Sequence, residues 1–385
     1  MTVDPSAILQ GRPPGRAPAG VIVAIAFSSL CLILVLAFDA MTGGASFVVG
    51  MMLALLPLGI WLPVILALDR MEPEPKSALV LAFLWGAGVA ALIAMVLNTL
   101  NFIVITDQLV SADDGWYWTA VVGAPIVEEI LKGFVLFGML WWHRHELNGV
   151  TDGIIYASMV GLGFAATENI SYFIDAAQVD QLGIVFLLRA VVAPLLHPLC
   201  TAMTGIGVAV AALSRPGALR FAAPLIGLTG AIALHSLWNA ASSRGLPGLG
   251  TAYLIGLVVM VVLFVVVRRE RRRLVGLILH YLPKYIPTGV VAMVDVQMLS
   301  SLKARKAARE WASARGGRAS AEAMREYQQA ATELALLHER AEHAAAEPVE
   351  LENQRQALLW VMQRARGTFL PGGGTARLPW ASSTA

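Results

Sequence analysis

Residues 119–142 read TAVVGAPIVEEILKGFVLFGMLWW. The stretch is apolar and long enough to cross the roughly 30 Å hydrocarbon core of a bilayer as a helix. Yet it carries Glu128, Glu129 and Lys132 near its middle. Placing one carboxylate in hydrocarbon costs about 2.5 kcal/mol on the mildest scale, and a second like charge beside it adds repulsion. A chain that keeps such a pair there is expected to use it.

The rest of the sequence places this helix in a polytopic membrane protein. Hydrophobic residues make up 57% and charged residues 14% of the 385-residue chain, and the mean hydropathy is +0.68. Soluble domains carry about 25% charged residues. Spans are expected near 20–38, 47–68, 77–105, 118–142, 153–174, 183–213, 221–241 and 251–267. The fold class is therefore all-α: a membrane helix bundle of about eight spans with a small C-terminal cytoplasmic helical appendage. Basic residues mark alternate loops: Arg12 and Arg16, Arg70 and Lys76, His143 to His145, Arg215 and Arg220, then the run from Arg268 to Arg273. The intervening loops are DQLVSADDGW and DAAQVDQLG, which lack basic residues, and a short stretch with only Arg244. Basic loops favour the cytoplasmic side, so both termini are expected in the cytoplasm and the protein in the plasma membrane. The first apolar run is longer than a signal-peptide core and reads as a signal anchor. Cys31 and Cys200, both in apolar spans, read as small buried residues.

Five regions follow: an N-terminal cytoplasmic segment (1–19), the transmembrane domain (20–268), an interfacial segment (269–302), a cytoplasmic helical region (303–366) and a disordered tail (367–385). The segment LVGLILHYLPKYIP is short and proline-broken, which suits the membrane interface. The Ala-, Glu-, Arg- and Gln-rich region after it is divided by Gly316-Gly317 and Pro348 into about three helices.

Four consecutive spans carry polar groups: Glu128, Glu129 and Lys132; Glu168 and Asn169; Arg189 and His197; His235 and Asn239. At a rise of 1.5 Å per residue, Glu128 and Glu129 lie roughly 15 Å below the outer face and Glu168 roughly 10 Å. His197 comes out at roughly 20 Å and His235 at roughly 10 Å on the same basis. Antiparallel helices that bring polar groups to one level can build one site. The bland alternatives are an i,i+4 ion pair for Glu128 and Lys132, and helix bridging by His235 and Asn239.

Such a set suits hydrolysis. A carboxylate in an apolar site can take a proton from water, a histidine can share that water, and an Asn amide can donate to an oxyanion. Glu128, Glu168, His197 and His235 are also candidate ligands for a divalent metal such as zinc. The cofactor reading stays open between such a metal and none. The chain contains no HExxH and no GxSxG motif, so a standard zincin or serine hydrolase is not indicated. Asp152, at the start of a span, reads as a helix cap. An alternative from another class is a proton-coupled transporter that uses the Glu/His cluster as a relay.

Five segments taken together resemble the PrsW-type intramembrane protease family, a relative of the CAAX-type prenyl endopeptidases. They are DRMEPEPK (69–76), EEILK (128–132), DGIIYASMVGLGFAATENISYF (152–173), RAVVAPLLHPLCT (189–201) and LHSLWNA (234–240). The resemblance implies an endopeptidase that cuts a membrane protein or membrane-anchored peptide, with first-site cleavage of an anti-sigma factor as the family's best-known role. The catalytic set would be Glu128, Glu129, Glu168, His197, His235 and Asn239, supported by Lys132 and Asn169. Glu168 stands where the CAAX-type relatives carry histidine. The expected partners are the substrate and the lipid bilayer, with no nucleic acid, plus a cytoplasmic partner for the C-terminal helices.

Overall fold

A computed structural model describes residues 18–68, 70–108, 112–215, 217–343 and 348–370. Among them there are helices and no strands. The chain runs through α1 (Ala19–Gly43), α2 (Ala45–Leu68), α3 (76–108), α4 (112–142), α5 (Val150–Gln178), α6 (182–192), α7 (Leu196–Leu213), α8 (Ala218–Ser242) and α9 (Gly245–Tyr281). Then follow α10 (Met293–Leu299), α11 (Leu302–His343) and α12 (Pro348–Phe369).

Seven of these runs are long and apolar enough to cross a membrane, α6 and α7 counting as one. The eighth expected span is α4, of similar length but carrying the two glutamates and the lysine. In hydrocarbon a helix satisfies its own backbone groups, which is why an apolar chain of this kind adopts it.

The described residues form two compact units. The first holds α1 to α8 and the start of α9, and its centre is α5, the most buried of its helices. Close backbone approach sets its packing. A Cβ on Gly153 would lie 2.2 Å from the Gly205 carbonyl oxygen, and one on Gly205 would lie 2.1 Å from that of Gly153. Small residues at such crossings let membrane helices meet where larger ones could not. Asp152 does cap α5, its Oδ2 accepting from the backbone N–H of Gly149 at 2.8 Å and of Asn148 at 2.6 Å.

Three helices contain π-helical stretches: Trp85–Ala90 in α3, Thr119–Gly123 in α4 and Leu187–Val192 in α6. Such stretches cluster at functional positions because the wider turn re-aims the side chains beyond it. The sixth expected span is not continuous. It breaks at 193–195, where Pro194 cannot donate a backbone hydrogen bond, and restarts as α7.

The second unit takes in Arg70–Pro75 and 268–370. The loop 70–75, placed by sequence in the transmembrane region, packs in this unit because Met71 is buried in its core. The stretch 269–302, expected as an interfacial segment, is also part of this core. Leu274, Ile278, Leu282, Val291 and Leu299 are buried there against α11 and α12. Its apolar face has protein partners, and α9 continues through the basic run to Tyr281. α11 turns at Gly316 and Gly317, where Gly317 has φ 63°, a conformation glycine adopts without strain. The expected tail begins later than residue 367: Phe369 still belongs to α12 and is buried. Positions 371–385 and 1–17 lie outside the described residues.

Two polar knots hold the second unit. Asp295 accepts from Tyr327 at 3.1 Å and from Arg366, and its Oδ2 caps α10 at Ala292. Burial, with Asp295 alongside, pushes the Tyr327 phenol well above its usual range, so it stays a donor. Arg305, 2% exposed, donates to the carbonyls of Leu299 and Met71 and to Thr332 Oγ1, each at 2.7 Å. Arg305→Ala strands all three acceptors in a dry core. It is expected to lower the stability of this unit by about 3 kcal/mol and to speed proteolytic nicking at 70–75. Unchanged cleavage kinetics there would contradict that anchoring role.

Candidate active site

Glu128 and Glu129 lie on consecutive positions of α4, just past its π-helical stretch. Neighbours on a helix point about 100° apart, so the two carboxylates meet different helices. Glu128 Oε1 accepts from Asn98 Nδ2 of α3 at 3.3 Å. Glu129 Oε2 accepts from Thr201 Oγ1 of α7 at 2.9 Å, and its Oε1 lies 3.1 Å from His235 Nδ1 of α8. One turn later Lys132 ties the pair together, its Nζ 3.2 Å from Glu128 Oε2 and 2.9 Å from Glu129 Oε1. Nζ also lies 2.9 Å from His197 Nδ1 and 3.8 Å from the centroid of the Phe164 ring. Glu129 and Lys132 are fully buried.

These contacts fix the hydrogen bonding of both histidines. An ammonium only donates, so His197 Nδ1 is the acceptor and its proton sits on Nε2. That nitrogen donates to Glu168 Oε2 at 2.9 Å. His235 Nδ1 faces the Glu129 carboxylate, which only accepts, so it carries the proton and leaves Nε2 as the basic nitrogen. The two imidazoles meet edge to face with centroids 5.1 Å apart. Glu168 also accepts from Arg189 Nη1 at 2.5 Å, and the same Nη1 reaches Asn169 Oδ1 at 3.3 Å.

Six of the sequence-predicted residues thus meet in one network: Glu128, Glu129, Lys132, Glu168, His197 and His235. Asn239 is held by a bond of its own, Nδ2 donating to the Ala120 carbonyl at 2.8 Å. Asn169 touches the network through Arg189, whose Nη1 donates to its Oδ1. Asn98, Thr201 and Arg189 are the members not named as site residues from sequence. Thr201 and Arg189 stood inside the quoted motifs, whereas Asn98 showed only as a polar residue in an apolar span.

Glu128, His197 and His235 each offer a ligand atom, all within 4.8 Å of one another. Two imidazoles and a carboxylate form a donor set typical of catalytic zinc. Three carboxylates here face only two fixed cations, Lys132 and Arg189, which suits one further positive charge. The residues present therefore fit a divalent metal ion, for which His197 Nδ1 would exchange its bond from Lys132.

His197 is placed by a close helix crossing. A Cβ on Gly161 of α5 would lie 2.7 Å from the His197 carbonyl carbon and oxygen and from Pro198 N. Gly161→Ala is expected to cost about 1–3 kcal/mol in stability through overpacking. Displacing His197 by a fraction of an ångström should also lower turnover about tenfold or more. A variant that melts and turns over like the wild type would refute this packing role.

Residues 74–267, half of the chain, match the family described as PrsW family intramembrane metalloprotease. The chain belongs to the PrsW family. Curated proteins named Protease PrsW align with part of it. That of Geobacillus kaustophilus (strain HTA426) is 30% identical over 106 residues, 28% of this chain and 44% of the relative. That of Clostridioides difficile (strain 630) is 30% identical over 127 residues, 33% of this chain and 51% of the relative. That of Oceanobacillus iheyensis is 39% identical over 61 residues, 16% of this chain and 28% of the relative. The chain therefore spans about half or less of the length of these relatives. No solved structure matches it. The PrsW match contains the whole network from Asn98 to Asn239 and ends at the boundary of the first unit. PrsW membership and the apolar helices make this an integral membrane protein.

Proposed function

We propose that this protein is an intramembrane endopeptidase whose reacting centre lies between Glu128, His197 and His235. The observation that carries the reading is the buried network in which two consecutive glutamates of different bonding meet two histidines. Glu129 accepts from Lys132, His235 and Thr201, so its oxygens are committed. Among the described hydrogen bonds Glu128 accepts from Asn98 and Lys132, with His197 Nδ1 3.9 Å from its Oε2, and this lighter commitment supports Glu128 as the carboxylate that takes a proton from water.

The water oxygen attacks the peptide carbonyl carbon while Glu128 takes the proton. His235, aligned by Glu129, accepts through its basic Nε2 from the second O–H of the attacking water, beside the leaving nitrogen. The proton passes to that nitrogen, the C–N bond breaks, and a carboxylate and an amine leave. Lys132 compensates the charge that collects on Glu128 and Glu129. Glu168 holds His197. Asn239 sits one turn beyond His235, and its amide is positioned first for the Ala120 carbonyl, with one N–H left for a substrate oxygen. Where a divalent metal is bound, Glu128, His197 and His235 would hold it, Glu128 then serving as a ligand in place of its role as base, and it would supply Lewis-acid polarisation of water and carbonyl.

The substrate is a membrane-embedded or membrane-anchored polypeptide, and the family role supports a membrane-bound anti-sigma factor cut on its outer side. The loop charges support a plasma-membrane protein with both termini in the cytoplasm, and the helices of the second unit are exposed enough to engage a cytoplasmic partner. The family match does not favour the proton-coupled transporter.

The test is cleavage of a single-span substrate by the purified protein in lipid nanodiscs. New fragments, absent with Glu128→Ala, are the expected result; an intact substrate under all conditions would sink the reading. Metal content and chelation address the second component. The donor set supports loss of cleavage with chelator and recovery with zinc, while unchanged cleavage would leave the carboxylates and histidines acting alone.

A further inference from the structure

We propose that Arg189 is a positioning residue that acts on His197 through Glu168, across the break in the sixth span. The inference rests on the peptidase reading for its kinetic readout, and on geometry for its second one.

Arg189 and His197 approach the same oxygen from opposite sides of the break at 193–195. Arg189 Nη1 of α6 lies 2.5 Å from Glu168 Oε2, and His197 Nε2 of α7 lies 2.9 Å from that oxygen. Glu168, on α5, is therefore the fixed point at which the two halves of the sixth span are joined. Two further contacts set the guanidinium itself. Nη1 donates to Asn169 Oδ1 at 3.3 Å, and Cζ lies 3.3 Å from the centroid of the Tyr172 ring. Asn169 and Tyr172 belong to the same helix as Glu168, so α5 presents a carboxylate, an amide and an aromatic face to one cation. A planar guanidinium can stack on the ring and donate in its own plane, which an ammonium cannot do together.

α6 needs such an anchor. The apolar residues of α6, Val185, Phe186 and Ala190 among them, are only partly buried against Ile170, Phe173 and Ile174. Pro194 removes a backbone donor at the break, and Ala193 returns its N–H to Leu188.

The consequence for the centre is a fixed imidazole. Because Arg189 only donates, Glu168 Oε2 is held as an acceptor. An acceptor at that point keeps the His197 proton on Nε2 and leaves Nδ1 to accept from Lys132. If Arg189 is removed, Glu168 loses the donor that holds it and is free to rotate off Nε2. The ring then keeps only its Nδ1 bond from Lys132 and is no longer held from both sides.

The experiment uses the full chain in nanodiscs with a single-span substrate. Arg189→Ala is expected to lower kcat roughly 100-fold, the scale of a small misplacement of a reacting group, with KM within about threefold. Arg189→Lys should recover part of the loss. Glu168→Gln combined with Arg189→Ala should be no slower than Glu168→Gln alone, since both changes break one link. The second readout needs no activity: 15N and 1H shifts of the His197 Nε2–H group should report a strong hydrogen bond to Glu168 in the wild type and a weakened one in Arg189→Ala. Multiplying losses in the double variant, a change confined to KM, or an unaltered His197 spectrum would each overturn the proposal. Substrate left intact by the wild-type protein, with the His197 shift still altered in Arg189→Ala, would instead overturn the peptidase assignment and leave the positioning link standing.

Discussion

Glu128→Gln is expected to lower the rate of peptide cleavage by about 10³-fold, in the range associated with loss of a general base. Glutamine keeps the shape of the side chain, so Asn98 and the helix packing around it are retained. It cannot take a proton from water. Insertion and thermal unfolding should stay close to wild type, because the change removes one buried negative charge without opening a cavity. Glu129→Gln is the informative companion. It removes the carboxylate that Lys132, His235 and Thr201 all share, so it should disturb His235 and lower stability as well as turnover. Kinetics of the two variants on one substrate decide the assignment. Cleavage by Glu128→Gln within about threefold of wild type would remove Glu128 from the role of base.

Lys132→Met is expected to be the most destabilising single change in the first unit. Lys132 is the cation common to Glu128 and Glu129, and it also donates to His197. Methionine fills similar volume but leaves two buried carboxylates without the counter-charge they share. Breaking a buried pair in this way costs about 3–5 kcal/mol. Thermal unfolding in detergent or nanodiscs should show it directly. The reciprocal result is as diagnostic: Glu128→Gln and Glu129→Gln added to Lys132→Met should restore much of the lost stability, because the uncompensated charge is gone. A Lys132→Met protein that unfolds at the wild-type temperature would show that the carboxylates do not depend on this ammonium.

Much of the centre was legible one span at a time. Glutamates, histidines and a lysine stand out in apolar helices because hydrocarbon makes them costly, and loop charges ordered the spans. Helical rise then put the groups at similar depth. What sequence could not show was which atoms meet. Asn239, expected to face an oxyanion, is turned to the Ala120 carbonyl, a backbone group that a π-helical stretch has left at hand. Asn98 carries no charge and no motif, and only the packing of α3 on α4 brings it to Glu128. The stretch 269–302 misled for a related reason. An amphipathic segment beside basic residues reads alike whether its apolar face meets lipid or protein, and here Ile278, Leu282 and Leu299 meet α11 and α12. Likewise the loop at Met71 is joined to the C-terminal helices by a contact with Arg305 more than two hundred residues away.

The sequence by itself determined that this is a helical membrane protein with ionisable groups kept inside it, because burial cost and helical periodicity act on local stretches. It also determined the family, through the order and spacing of its motifs. The tertiary structure alone decided which groups meet within the centre. It commits Glu129 to three donors, leaves Glu128 with two, and sets the ring protons of His197 and His235 by the partners that face them. Those assignments depend on hydrogen bonds of about 3 Å between helices far apart in sequence, and only the packed bundle fixes distances on that scale.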